Sequence, residues 1–77
     1  MDITKLCNEI SLALEVAGDR INAETTSEMI DEWDSLGQIS ILARLDLAYD
    51  DITEKVPDLA SALSVTDIYR LLSEAGL

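Results

Sequence analysis

The sequence predicts an all-α fold, a four-helix bundle in which the first, second and fourth helices are long and the third is short. Three observations lead there. Apolar residues recur at spacings of three and four in separate segments, as one buried face of a helix requires. Hydrophobic residues fill 48% of the 77 positions but aromatic ones only 4%, with no Phe, so the core must be aliphatic. One cysteine and no histidine rule out a disulfide or a histidine-held metal as a staple, which leaves compact helix packing as the route to stability for so short a chain.

The first helix is expected from Asp2 to Ala17, where Ile3, Leu6, Cys7, Ile10, Ala13, Leu14 and Ala17 form one stripe and Gly18 stops it. Cys7 lies inside that stripe and reads as a small buried hydrophobe, with no base placed to activate its thiol. Residues 18–34 lose the periodicity and collect Gly, Asp, Asn, Thr and Ser, so they form a long loop, with one helical turn opened by a Thr25–Glu28 capping box. Ile21, Met29, Ile30 and Trp33 are expected to tuck this loop onto the core, while Glu24, Glu28, Asp31, Glu32 and Asp34 make it acidic.

A second helix should run from Ser35 to about Tyr49 with Asp34 as its N-cap, Gly37 being a mild weakness within it. At 100° per residue its apolar side chains fall on two sides: Ile41, Leu42, Leu45 and Tyr49 on one, Leu36, Ile39, Ala43 and Leu47 on the other. The first side serves as the core face; the second needs another layer of protein or a visiting partner. A short third helix is expected from Pro57 to Leu63, since proline suits a first helical turn. A Ser64–Asp67 capping box then opens the last helix, with Val65, Ile68, Leu71, Leu72 and Ala75 apolar and Gly76 past its end. No repeat, low-complexity tract or internal boundary interrupts residues 1–77, which read as one domain.

Sixteen acids against five bases give a formal charge of -11, which repels nucleic-acid phosphates and anionic lipid alike. No nucleic-acid or membrane partner is expected. No apolar run approaches a membrane span, the N-terminus lacks a signal pattern, and an unpaired Cys7 suits a reducing compartment, so the sequence reads as a soluble cytoplasmic monomer. Without histidine there is no Ser-His-Asp triad, no Cys-His dyad and no histidine-ligated zinc, so no enzymatic role is expected. The acids Asp46, Asp50, Asp51 and Glu54 lack the spacing of a calcium loop and read as a solvated face, with no metal site.

One constellation carries chemistry: Glu32-Trp33-Asp34-Ser35-Leu36-Gly37 at the start of the second helix. Because Asp34 takes the cap position, the Ser35 hydroxyl is left free at the positive end of the helix dipole, a favourable place for a phosphate ester. With Asp34-Ser35-Leu36 at mid-chain in an acidic four-helix sequence of this length, the chain resembles the acyl carrier protein family over essentially its whole extent. Tyr49-Asp50 closing the second helix and Val56-Pro57-Asp58 opening the third region are further echoes. The resemblance implies a single carrier domain over residues 1–77 whose Ser35 receives 4'-phosphopantetheine from coenzyme A through a phosphopantetheinyl transferase. The arm's terminal thiol would then carry an acyl group as a thioester. It further implies that Asp34 orients the serine and the transferase's metal and phosphate groups. The implied partners also include an acyl-loading ligase and acyl-processing enzymes, docking on Leu36, Ile39, Ala43 and Leu47.

The chain also departs from the family. Ser40, Leu47 and Ala48 stand where fatty-acid-synthesis carriers tend to be acidic, Arg44 adds a base, and Trp33 replaces a small residue before the signature. The Gly-Gly-x-Ser pattern of peptidyl carriers is absent. These departures point to a stand-alone carrier of a specialised lipid or metabolite pathway, with a D-alanyl, other aminoacyl or peptidyl carrier as the alternative. Outside the carrier class, the alternative is an unmodified acidic helical module that binds a protein partner. The aliphatic core further suggests that a long acyl chain could slip between the helices.

Overall fold

The computed structural model describes residues 1–77 and contains four α-helices and no strands. They are α1 (Ile3–Leu14), α2 (Ser35–Ala48), α3 (Ile52–Lys55) and α4 (Val65–Glu74), with single 3-10 turns at Gly18–Arg20, Ser27–Met29 and Pro57–Ser61. The predicted small all-α bundle with a short third helix is the observed one. No helix is long and apolar enough to cross a membrane.

Helix α1 starts where Asp2 accepts the Thr4 amide at 2.9 Å, but it ends at Leu14 rather than Ala17. Glu15 adopts a left-handed conformation, and the chain closes with Glu15 N–H to Leu12 O and Val16 N–H to Ser11 O. This paired closure satisfies the last carbonyls of the helix, so Gly18 is not its terminator and Ala17 is exposed beyond it. Helix α4 ends with the same closure in its expected form: Gly76 has a φ of 94°, and Leu77 N–H reaches Leu72 O. At its other end Ser64 Oγ accepts the Asp67 amide at 3.1 Å, as the capping box predicts. Ala75, assigned to the apolar face, is exposed because the helix has already ended at Glu74.

The short third helix is α3, at Ile52–Lys55, and not at Pro57–Leu63, where the chain makes a 3-10 turn. Asp46, from the preceding helix, reaches across to α3: one carboxylate oxygen accepts the Thr53 amide and the other the Thr53 hydroxyl, both at 2.8 Å. Asp50 and Asp51 make the sharp turn between α2 and α3 with φ of 58° and 56°.

The core is aliphatic apart from Trp33. Leu6 and Ile10 of α1, Ile41 and Leu45 of α2, Leu59 of the 3-10 turn and Val65, Ile68 and Leu72 of α4 are fully enclosed. Each such side chain is worth roughly 1.5–3 kcal/mol of burial. Within the 18–34 loop Ile21, Ile30 and Trp33 are buried as predicted, whereas Met29 points outward. The loop is stitched to the start of α4 by Val65 N–H to Thr25 O and Ser27 N–H to Leu63 O, an isolated antiparallel bridge. That stitching turns Thr25 inward, where its hydroxyl accepts the Asn22 amide, so the Thr25–Glu28 capping box does not form.

Candidate functional site

Helix α2 begins as its sequence predicts. Asp34 adopts an extended cap conformation and one of its carboxylate oxygens accepts the Gly37 amide at 2.8 Å. Its carbonyl accepts the Gln38 amide, while the amides of Ser35 and Leu36 find no backbone acceptor. Ser35 is exposed beside these two free N–H groups, and its hydroxyl enters none of the fold's hydrogen bonds. Asp34, Ser35 and Leu36 thus stand together at the positive end of a helix of 14 residues.

The segment leading to Ser35 is held by three contacts of different kinds. Arg20 grips Glu32 through its two terminal guanidinium nitrogens, at 3.2 and 3.3 Å, and this pairing, ahead of a backbone hydrogen bond, holds the Glu32 carboxyl below the usual glutamate range. The Glu32 carbonyl lies so close to α2 that a Cβ on Gly37 would stand 2.1 Å from its oxygen. Trp33, only 3% exposed, gives its indole N–H to Gln38 Oε1 at 2.7 Å. Gln38, itself 8% exposed, turns its amide nitrogen to the carbonyls of Leu59 and Ala62, each at 3.1 Å, and of Ala60 at 3.3 Å. A single buried side chain therefore joins α2, the loop before Ser35 and the 3-10 turn after Pro57. Sequence reasoning passed over Gln38 and read Gly37 as a weakness. The only local signal was Trp33, a ring that when buried needs an acceptor for its N–H.

Beside Ser35 an open groove of about 540 Å³ runs between α2 and the 3-10 turn, with Ile39, Ala60 and Leu63 among its walls. Leu36, Ile39 and Leu47 are 74%, 62% and 82% exposed, and Ala43 between them is exposed too. All four residues assigned to partner docking therefore lie on one open stripe, opposite buried Ile41 and Leu45. Both charges of α2 are engaged elsewhere: Arg44 pairs with Glu9 of α1, and Asp46 is held by Thr53. The stripe is uncharged.

Elsewhere, burial shifts two titratable side chains, Cys7 and Tyr49. Cys7 sits half-buried in a shallow hollow with Ile3 and Ile21, and burial pushes its thiol above the ordinary range, away from the reactive thiolate. Tyr49 packs half-buried with Lys5 Nζ 5.0 Å above its ring, and burial, reinforced by Glu9 and Asp2, raises its phenol. No three acidic or sulfur ligands converge anywhere, Asp46 being already occupied by Thr53. No protein-family model, curated protein or solved structure matches this chain.

Proposed function

We propose that this chain is a carrier protein that holds a 4'-phosphopantetheine arm on Ser35 and presents the group on that arm to partner enzymes. One observation carries the reading. The Ser35 hydroxyl is exposed and unshared at a helix N-terminus whose cap is already supplied by Asp34. A serine used only as a cap would spend its oxygen on an amide of the first turn.

In the loading step a transferase brings coenzyme A to the site. Ser35 Oγ forms a bond to the phosphorus nearest the pantetheine, the pyrophosphate bond breaks, adenosine bisphosphate leaves, and the hydroxyl proton passes to a base of the transferase. Asp34, with one oxygen committed to Gly37, offers the other to the transferase's metal. The resulting phosphodiester anion lies beside the free Ser35 and Leu36 amides, where the helix dipole favours negative charge by roughly 0.3–1 kcal/mol. The arm supplies a thiol on which the cargo is held as a thioester. Leu36, Ile39, Ala43 and Leu47 give the partner an apolar surface, and the -11 charge of the chain draws in basic enzymes.

Incubation with coenzyme A and a broad-specificity transferase should add the mass of one phosphopantetheine, and Ser35→Ala should abolish the addition without changing helicity or melting. Added mass on another serine, or none on the wild type, overturns the reading. The bare stripe on α2 favours a second reading, an unmodified module for one protein partner, and absence of the added mass would leave that one standing.

A further inference from the structure

We infer that the interior of this protein is closed to a long alkyl chain, so that the group carried from Ser35 is a short acyl group lying at the surface. The assignment of cargo rests on the carrier reading of Ser35. Of the eight residues lining the groove beside Ser35, only Trp33 and Gln38 are buried, so these two form its floor. They are bonded to each other, and Gln38 is bonded onward to Leu59 and Ala62, whose side chains belong to the core. The floor is a finished surface: the polar atoms of both side chains are all paired.

Admitting a chain would require the 3-10 turn to part from α2. That separation strips the Gln38 amide nitrogen of its three carbonyl partners and leaves the Ala62 carbonyl without a donor, a penalty charged to every chain before any methylene is buried. Nor can Trp33 slide aside, because its neighbour Glu32 is pressed against Gly37 and gripped by Arg20. The walls, by contrast, are available without cost. Ile39, Ala60 and Leu63 are exposed, and a chain of a few carbons can lie against them with every hydrogen bond of the floor intact.

The test attaches saturated chains of two to sixteen carbons in two ways. In one series a broad-specificity transferase moves acyl-4'-phosphopantetheine from acyl-coenzyme A analogues onto Ser35, with adenosine bisphosphate leaving. In the other, alkyl groups are joined by disulfide exchange to a Ser35→Cys, Cys7→Ala variant, which needs no transferase. Melting temperature and Trp33 fluorescence are read for each. A closed floor predicts that both stay flat as the chain lengthens beyond a few carbons. In a Trp33→Leu variant, which removes the indole N–H and part of the floor, melting should rise with length. A steady rise of melting temperature with length in either wild-floor series, or a shift in Trp33 emission, overturns the inference and leaves the carrier reading intact. Failure of the transferase to load Ser35, with a flat disulfide series, does the reverse: the closed floor stands, and the carrier reading falls together with the cargo assigned from it.

Discussion

Replacing Gly37 with alanine reverses the sign that helix propensity alone would give. In a helix interior this change ordinarily adds about 1 kcal/mol of stability, because glycine is a poor helix former and alanine narrows the unfolded ensemble. Gly37 is buried in the first turn of α2, and the new Cβ would stand 2.1 Å from the Glu32 carbonyl oxygen and 2.9 Å from Leu14 Cδ2. The leucine tip can rotate away. The carbonyl can retreat only by moving its backbone about 1 Å, to reach the separation at which non-bonded atoms stop repelling. That movement drags Trp33 and Asp34 with it. Overpacking of this kind costs about 1–3 kcal/mol, and weakening the Asp34 cap and the Trp33–Gln38 bond adds roughly 1–2 kcal/mol more. After subtracting the propensity gain, the variant should be less stable by about 2 kcal/mol, a fall in Tm of roughly 8–16 °C. Urea unfolding followed by the fluorescence of Trp33 measures it. Gly18→Ala is the matched control: nothing lies within 4 Å of its added Cβ, and it should be neutral or gain up to about 1 kcal/mol. A Gly37→Ala protein as stable as wild type would refute the close approach and the argument built on it.

Gln38→Leu should cost about 3 kcal/mol, since it leaves the Trp33 N–H and the Ala62 carbonyl unpaired in the interior; a change below about 0.5 kcal/mol in urea unfolding would mean that water replaces the amide. Glu32 titrates lower folded than unfolded, so its pairing with Arg20 stabilises the protein above the ordinary glutamate value of 4.5 and is lost as pH falls below it; the stability of wild type relative to Glu32→Gln should decline over that range, and parallel pH curves would contradict this. Raising salt should raise Tm, because a charge of -11 on so small a body repels itself; an ionic-strength-independent Tm would count against that. Leu47→Glu should leave stability within about 0.5 kcal/mol, since the side chain is 82% exposed, but weaken binding to an acyl-processing partner by about 1–3 kcal/mol; loss of the fold would refute the division of α2 into core and partner sides.

What the sequence disclosed and what it hid divide along the range of the interactions involved. The start of α2 was legible because Asp34 and Gly37 are three residues apart and the cap is made locally. Ser64 and Asp67 announced α4 in the same way. The two stripes of α2 were also legible, since helical geometry alone separates Ile41 and Leu45 from Leu36, Ile39 and Leu47, and burial follows that separation. The end of α1 was not legible. A left-handed glutamate at position 15 carries no compositional mark, and the nearby Gly18 offered a more usual terminator. Helix α3 was hidden because its Thr53 amide is satisfied by Asp46, seven residues earlier in another helix. Gln38 was hidden more completely: its carbonyl partners lie 21 to 24 residues away, and a lone glutamine between Gly37 and Ile39 looks like any solvent-facing residue.

The same division explains how a serine with no hydrogen bond of its own can be well placed. Ser35 contributes little to stability, so its position must be imposed from outside, and three restraints on residues 32 and 33 do this. Arg20 acts on a side chain, Gly37 on a backbone carbonyl, and Gln38 on an aromatic ring. Two of them act on Glu32 and one on Trp33, so the residues just before Ser35 are fixed by side chain, backbone and ring at once. A partner that docks here meets a loop already ordered and loses little entropy in fixing it. The neighbouring stripe is prepared in a complementary way. With Arg44 drawn to Glu9 and Asp46 to Thr53, Leu36, Ile39 and Leu47 meet a partner without an opposing charge that must be desolvated. Attraction from a distance then falls to the acids around the stripe, and the strength of the contact to the leucines and isoleucine on it. For the proposed carrier, the charge of the chain would govern how fast partners arrive, and the apolar stripe how long they stay.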